Sequence, residues 1–323
     1  MALEEASEGP VEEPGRPVLL ALRGLGLGDL LASVPALRAL RRAHPGHHFV
    51  LATPAYLGGL LPLIGGVDEL LDVSGPGPVP YASPDVAVNL HGSGPESIQA
   101  LRRTRPGRLL THTHPAVPGS DGPAWNAATH ERERWCSLLD WYGITADPDD
   151  LAFGDPGPGP LPGGEVVIHP GAAFRARQWP PDRFARVAAE LVRAGHRVVV
   201  TGGVTEIALA RHVAALAGLP EESVLAGRTN LPELAALTAH ASLVVCGDTG
   251  MAHLATAVGT PSVILYGPIP PALWGPPPGR PHIALWAGRR GDPHGDTPSE
   301  GLLEIGVPEV LDAVRRLRGV GAR

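Results

Sequence analysis

Residues 243–266 read LVVCGDTGMAHLATAVGTPSVILY, and this stretch decides the fold. Two apolar runs, at 243–246 and 262–266, enclose a segment that opens on small polar residues and continues without a turn signal to Gly259. Short apolar runs bounded by Gly and Pro read as strands buried on both faces. The segment between them has the length of a helix beginning near Thr249. Strand, helix and strand in that order make a parallel βαβ unit.

The same alternation extends in both directions. Towards the C-terminus lies an amphipathic helix at 307–317. Towards the N-terminus are strands at Val166–His169 and 197–201, with helices at 181–194, 205–217 and Leu231–His240. The first of these helices has Pro181 in its first turn, Gly195 just past its end, and an apolar stripe of Phe184, Val187, Ala188 and Leu191. In the first half, Val18–Leu22 reads as a strand followed by a Gly-rich turn. A helix bearing Leu30, Leu31, Val34, Leu37 and Leu40 comes next, closed by Gly46; strands at 49–52 and 86–90 and a helix at 127–141 complete that half. Residues 154–164, GDPGPGPLPGG, hold Pro and Gly too densely for helix or ladder. The chain therefore divides into domains at 17–155 and 165–305, joined by a linker at 156–164. A closing helix at 306–323 is expected to pack back on the first domain. The fold class is α/β, with parallel sheets binding ligands where the loops gather at the carboxyl ends of their strands.

A length of 323 residues suits two domains, and 43% hydrophobic against 18% charged residues suits two packed cores. The charge of 26 − 33 = −7 carries no basic run and argues against nucleic acid as a partner. All 26 cationic side chains are Arg. Cys136 and Cys246 offer neither a disulfide framework nor a metal quartet, and Cys246 reads as a small hydrophobe. Residues 1–16 are acidic and broken by Pro and Gly, which predicts a disordered tail rather than a signal peptide. Residues 249–279 lack charge, yet their prolines forbid a spanning helix. The expectation is a cytoplasmic protein with no integral membrane segment.

Three loops leave buried strands and carry chemistry. In Gly24-Leu25-Gly26-Leu27-Gly28-Asp29 the glycines allow a tight turn and a close ligand, while Asp29 either caps the following helix or takes a proton from a hydroxyl. A dinucleotide fingerprint fits poorly, because residues 49–53 lack the acid expected after the second strand. Gly247-Asp248-Thr249-Gly250-Met251-Ala252-His253 exposes free N–H groups at a helix start, which suit a phosphate; His253 sits one turn beyond Thr249 on the same face. His169-Pro170-Gly171, followed by Arg175 and Arg177, either neutralises a diphosphate or is a solvated loop. Asp147 and Asp149 read as a solvated acidic loop, and His47, His48, His112 and His114 lack partners at metal-ligand spacing, so no metal site is predicted. Ser93 lacks the glycine spacing of a hydrolase elbow. Asn89 and His91, at a first-domain strand end, read as acceptor contacts or as core and capping groups.

Together these loops resemble glycosyltransferase family 9, which contains the ADP-heptose:lipopolysaccharide heptosyltransferases. The resemblance runs from Val18 to about Trp286 on Gly28-Asp29, on His169-Pro170-Gly171 through Trp179-Pro180, on Asp248 through Leu254, and on Tyr266-Gly267-Pro268. It implies a GT-B fold, two Rossmann-like domains facing a central cleft. It further implies inverting, metal-independent transfer of a heptose or related sugar from a nucleoside-diphosphate sugar, ADP-linked, to a glycan or small-molecule acceptor, with no cofactor. Asp29 would be the general base. Donor contacts would come from His169, Gly171, Arg177, Glu206 (on the ribose hydroxyls), Leu231 (bordering the base), Asp248, Thr249, Gly250, Met251 and His253. Gly26, Gly28, Asn89 and His91 would face the acceptor. The chain departs from the family pattern after Tyr-Gly-Pro, where it has Ile269-Pro270-Pro271. A GT-B-like sugar-nucleotide epimerase, a two-domain small-ligand binder and an NAD-dependent oxidoreductase are the competing readings.

Overall fold

The computed structural model describes residues 15–320 and contains two five-stranded parallel sheets. The first is built from β1 (Val18–Leu22), β2 (His48–Thr53), β3 (Glu69–Asp72), β4 (Val86–Asn89) and β5 (Arg108–Leu110), in the order β3-β2-β1-β4-β5. The second is built from β6 (Val166–His169), β7 (Val198–Val200), β8 (Leu243–Gly247), β9 (Ser262–Tyr266) and β10 (His282–Trp286), in the order β10-β9-β8-β6-β7. The α/β architecture expected from the alternation of apolar runs and helices is therefore present in both halves. Most of the disordered tail expected at 1–16, and residues 321–323, lie outside the described residues.

Chain order reverses between β1 and β4 in the first sheet and between β6 and β8 in the second. At such switch points the loops leave neighbouring strands in opposite directions and open a crevice. The turn after β1 ends at Gly26, and Asp29 lies in the first turn of the helix that follows, Leu27–Ala32. His169 ends β6 and the loop after it runs to Arg177; Asp248 and Thr249 follow β8, and His253 lies in the first turn of the helix Gly250–Val258. Topology thus delivers all three candidate loops to crevices.

One hydrophobic core runs across both domains, joining Leu19, Leu30 and Leu37 to Val244, Leu254 and Ala255. Separate clusters cover the far faces of the two sheets. The shared core exists because the helix Leu27–Ala32 packs directly on the helix Gly250–Val258. Gly250 permits the approach: a Cβ there would lie 2.8 Å from that of Leu27.

Three expectations are corrected. The helix foreseen through Leu30 and Leu40 is two helices, Leu27–Ala32 and Val34–Ala43, because Pro35 has no N–H to continue the ladder and the Ser33 hydroxyl turns back to donate to Leu30 O at 2.7 Å. The helix foreseen at 127–141 begins at Glu131, where the His130 imidazole caps it by accepting from the Arg132 amide. The closing helix, Val307–Val320, does not cross to the first domain. Val310, Ala313 and Val314 bury against the helix Pro181–Arg193 and strands β9 and β10 of the second. Residues 154–164 form no regular element, and just before them the Phe153 amide donates to Ala257 O at 2.8 Å, tying the connection to the second domain.

Candidate active site

A cavity of about 530 Å³ opens between the two switch points. Leu25, Gly26, Leu27, Gly28 and Asp29 form one wall; Arg177, Asp248, Thr249, Gly250 and His253 form the other. Ala173, Phe174, Ile269, Trp274 and His294 close the rim. That volume lies in the range of small-molecule sites. Residues 221 positions apart, Asp29 and Gly250, therefore face the same space.

The second-domain wall offers groups that can take an anion. Thr249 is the N-cap of Gly250–Val258, its hydroxyl oxygen accepting from the Met251 amide at 3.3 Å. The helix start adds its dipole and its unpaired N–H groups. Arg177 follows Phe174 in the loop after β6 and stacks its guanidinium 5.7 Å from that ring. Its Nε is buried with no hydrogen-bond partner within the described residues, a donor awaiting an acceptor. Asp248 is 5% exposed, and its carboxyl is pushed up to about 6 by burial, helped by the nearby Asp29 charge and opposed by Arg177. Burial, with His130 nearby, holds the His253 imidazole down at about 4, so it is neutral; its ring meets Trp274 edge-on at 5.8 Å.

Asp29 lies across the cavity in the first turn of its helix, its side chain 30% exposed. The residue that opens that helix is Gly26, whose backbone interacts with the Asp29 carboxylate. Burial and the neighbouring Glu131 raise the proton affinity of Asp29; Arg23, the Gly26 backbone and Arg177 oppose them, and the net shift is upward. A carboxylate raised in this way, open to a cavity, has the character of a general base.

Beside the cavity, His169 Nδ1 pairs with the Thr201 hydroxyl at 3.0 Å, and Nε2 lies 4.0 Å from Glu206 Oε2. Burial lowers the His169 proton affinity, with Glu206 opposing. Gly171 is needed here, because the Glu206 carboxylate occupies the space where a Cβ would sit. The same carboxylate accepts from the Gly203 amide at 2.7 Å. His169, Gly171 and Glu206 thus form one cluster next to, but outside, the cavity lining.

Three predicted residues have other surroundings. Met251 is 1% exposed in the core, and its amide is already engaged by Thr249. Asn89 is fully buried, donating towards Ser97 Oγ, Thr111 Oγ1 and Gly92 O and accepting from the His91 amide; it organises the loop after β4. Leu231 begins the helix Leu231–His240 and packs half-buried on the shared core. His91 is half-buried with Nδ1 lacking a hydrogen-bond partner, and is held down at about 4 by burial and Arg23. Sequence reasoning missed Arg23 and Glu131. The visible signal was a lone Arg closing the apolar run of β1 directly before the glycine turn. Among the described residues, no group of three or more His, Cys, Asp or Glu is placed to hold a metal ion, and no helix is long and apolar enough to cross a membrane.

Residues 145–294 match the family model of glycosyltransferase family 9 (heptosyltransferase). Lipopolysaccharide heptosyltransferase 3 of Escherichia coli is 35% identical over 125 residues, 38% of this chain and 36% of that protein. Lipooligosaccharide heptosyltransferase 2 of Haemophilus influenzae is 37% identical over 108 residues, 32% of this chain and 31% of that protein. The matched stretch spans about a third of the length of these curated relatives. Among solved structures, E. coli ADP-heptose lps heptosyltransferase II aligns with a TM-score of 0.75 at 20% identity, covering 95% of this chain and 100% of that one. The two-domain architecture is the GT-B fold.

Proposed function

We propose that the chain is a glycosyltransferase of the family 9 type, which its residues 145–294 resemble, and that it moves a heptose or related sugar from an ADP-linked donor to a hydroxyl of a glycan or small-molecule acceptor. The observation that carries this reading is one cavity with a raised carboxylate, Asp29, on one wall and a helix start with Arg177 on the other. The diphosphate lies at Thr249, Gly250 and Arg177. Asp29 removes the proton of the acceptor hydroxyl as its oxygen attacks the anomeric carbon from the face opposite the diphosphate. The carbon–oxygen bond to phosphate breaks, the nucleoside diphosphate leaves, and the anomeric configuration inverts. Arg177 and the helix dipole stabilise the leaving charge, a role that needs no metal ion. His169, Gly171 and Glu206 hold the ribose. The protein works in the cytoplasm on this reading.

The test follows ADP release from ADP-heptose in the presence of a panel of glycan and small-molecule acceptors, with and without EDTA, in wild type and Asp29→Asn. Loss of a general base costs about 10²- to 10⁴-fold in turnover. The expected result is that loss with ADP affinity unchanged, and no effect of EDTA. Near wild-type turnover by Asp29→Asn would remove the base from the mechanism.

A further inference from the structure

Arg23, the last residue before the glycine turn, is 0% exposed, and every nitrogen of its guanidinium is engaged. Nε donates to the Asp29 carbonyl at 2.9 Å and Nη1 to Leu90 O at 2.5 Å. Nη2 lies 3.0 Å from Glu131 Oε1 and 3.4 Å from Asp29 Oδ1. A planar fork fixed at three nitrogens has no freedom to swing. The Trp135 ring lies under it at 4.9 Å.

Glu131, 108 residues away on the helix Glu131–Trp141, is fixed equally firmly. Its Oε1 also accepts from the Trp135 indole at 3.0 Å, and its Oε2 from Arg134 Nε at 3.2 Å. Arg134 in turn donates to the carbonyls of Asn126 and Thr129. Two cations, Arg23 and Arg134, face two anions, Glu131 and Asp29. Of these four groups Asp29 alone reaches the cavity.

Resting on the transferase reading above, we propose that Arg23 and Glu131 are positioning residues: Glu131 locks the Arg23 guanidinium, and that guanidinium aims the Asp29 carboxylate across the cleft. Glu131 also balances Arg23, so Asp29 meets a nearly neutral neighbour instead of a bare cation and remains an effective base. The other titratable or charged groups facing Asp29 are Tyr56 from the turn Ala55–Leu60, Arg177 from the loop after β6 and Asp248 from the end of β8. Replacing Glu131 by a neutral amide leaves Arg23 uncompensated and lowers the proton affinity of Asp29.

The experiment is a carbon-13 NMR titration of protein labelled at its Asp carboxyl carbons, with the Asp29 signal identified by its loss in Asp29→Asn. Wild type, Glu131→Gln and Glu131→Asp are compared, each with a melting curve. In Glu131→Gln the Asp29 midpoint moves to lower pH, and ADP release from ADP-heptose falls about tenfold as the base weakens. Glu131→Asp keeps the charge with a shorter reach and shows a smaller displacement in the same direction; being charge-conserving, it tests the proposal even if the amide variant does not fold. A Glu131 that served the fold alone would lower the melting temperature and leave the Asp29 midpoint where it is in both variants, and that result overturns the proposal. The titration needs no substrate. Its failure leaves the transferase reading intact, whereas a displaced midpoint in a protein that releases no ADP with any of the acceptors and does not bind ADP would refute the transferase reading alone.

Discussion

Gly171→Ala is a one-carbon test of the ribose site. The added Cβ overlaps the Glu206 carboxylate and lies 2.6 Å from its Oε2, so the carboxylate must leave its position. The fold loses about 0.5–2 kcal/mol, the cost of a helix-start contact, since Glu206 gives up its hydrogen bond to the Gly203 amide where water can replace it. Nucleotide binding loses its contact to the same carboxylate. A hydrogen bond to a charged acceptor contributes about 1.5–3 kcal/mol. Losing one from the ribose weakens ADP about tenfold, and losing two weakens it about a hundredfold or more. In a melting experiment, ADP at about a hundred times the wild-type Kd stabilises wild type by about 2.7 kcal/mol; a site weakened a hundredfold keeps only about 0.4 kcal/mol of that. Calorimetry would compare wild type, Gly171→Ala, Glu206→Gln and the double variant. Both single changes remove the same contact, so the double variant should bind no more weakly than the worse single one. An ADP affinity for Gly171→Ala within about twofold of wild type, well below the about tenfold cost of one lost charged hydrogen bond, would refute the assignment of Glu206 to the ribose.

Other expectations follow from the buried groups. Asp248 has a folded value of about 6, above its ordinary 3.8, so the folded protein holds its proton more tightly and the associated stability is lost as pH rises through 6. Urea melts should therefore find Asp248→Asn more stable than wild type above pH 6, by up to about 3 kcal/mol, with the gain vanishing near pH 4. His91, His112 and His253 are each held at about 4 against an ordinary 6.5, so the unfolded chain binds more protons between those values. Melting temperatures should fall as pH drops from 6.5 to 4, and a flat profile would contradict their burial as neutral groups. Trp179→Phe removes the indole bond to Ile305 O at 3.0 Å, but Arg183 Nη1 still reaches that oxygen at 2.9 Å. Denaturation should record a cost of about 1–2 kcal/mol rather than the larger penalty of an orphaned carbonyl.

The strands that the sequence disclosed are chiefly those whose residues are buried on both faces. β1, β6, β8 and β9 are near-continuous apolar runs, and each lies inside its sheet. β3 (ELLD), β5 (RLL) and β10 (HIALW) are edge strands, short or half-exposed, and an edge with one solvated side need not advertise itself as an apolar run. The glycine turns were legible because their chemistry is local: small residues and a polar group within a few positions of a strand end. The buried Arg23–Glu131 pair was not, since a contact spanning 108 residues leaves no spacing to read. Asn89 stayed open between two readings for a related reason: a polar residue at a strand end looks the same whether it faces a ligand or, as here, ties its own loop together through Ser97, Thr111 and the His91 amide. The closing helix was misplaced because an amphipathic stripe says that a face is buried, not against which domain.

On the proposed function, the cleft between the glycine turns binds a nucleoside diphosphate through protein groups alone. Melting the purified protein with ADP, UDP, GDP, dTDP and NAD, each with and without EDTA, tests it most directly. ADP should raise Tm by an amount that EDTA does not change. A rise with NAD alone, with none of the five, or one abolished by EDTA would contradict it.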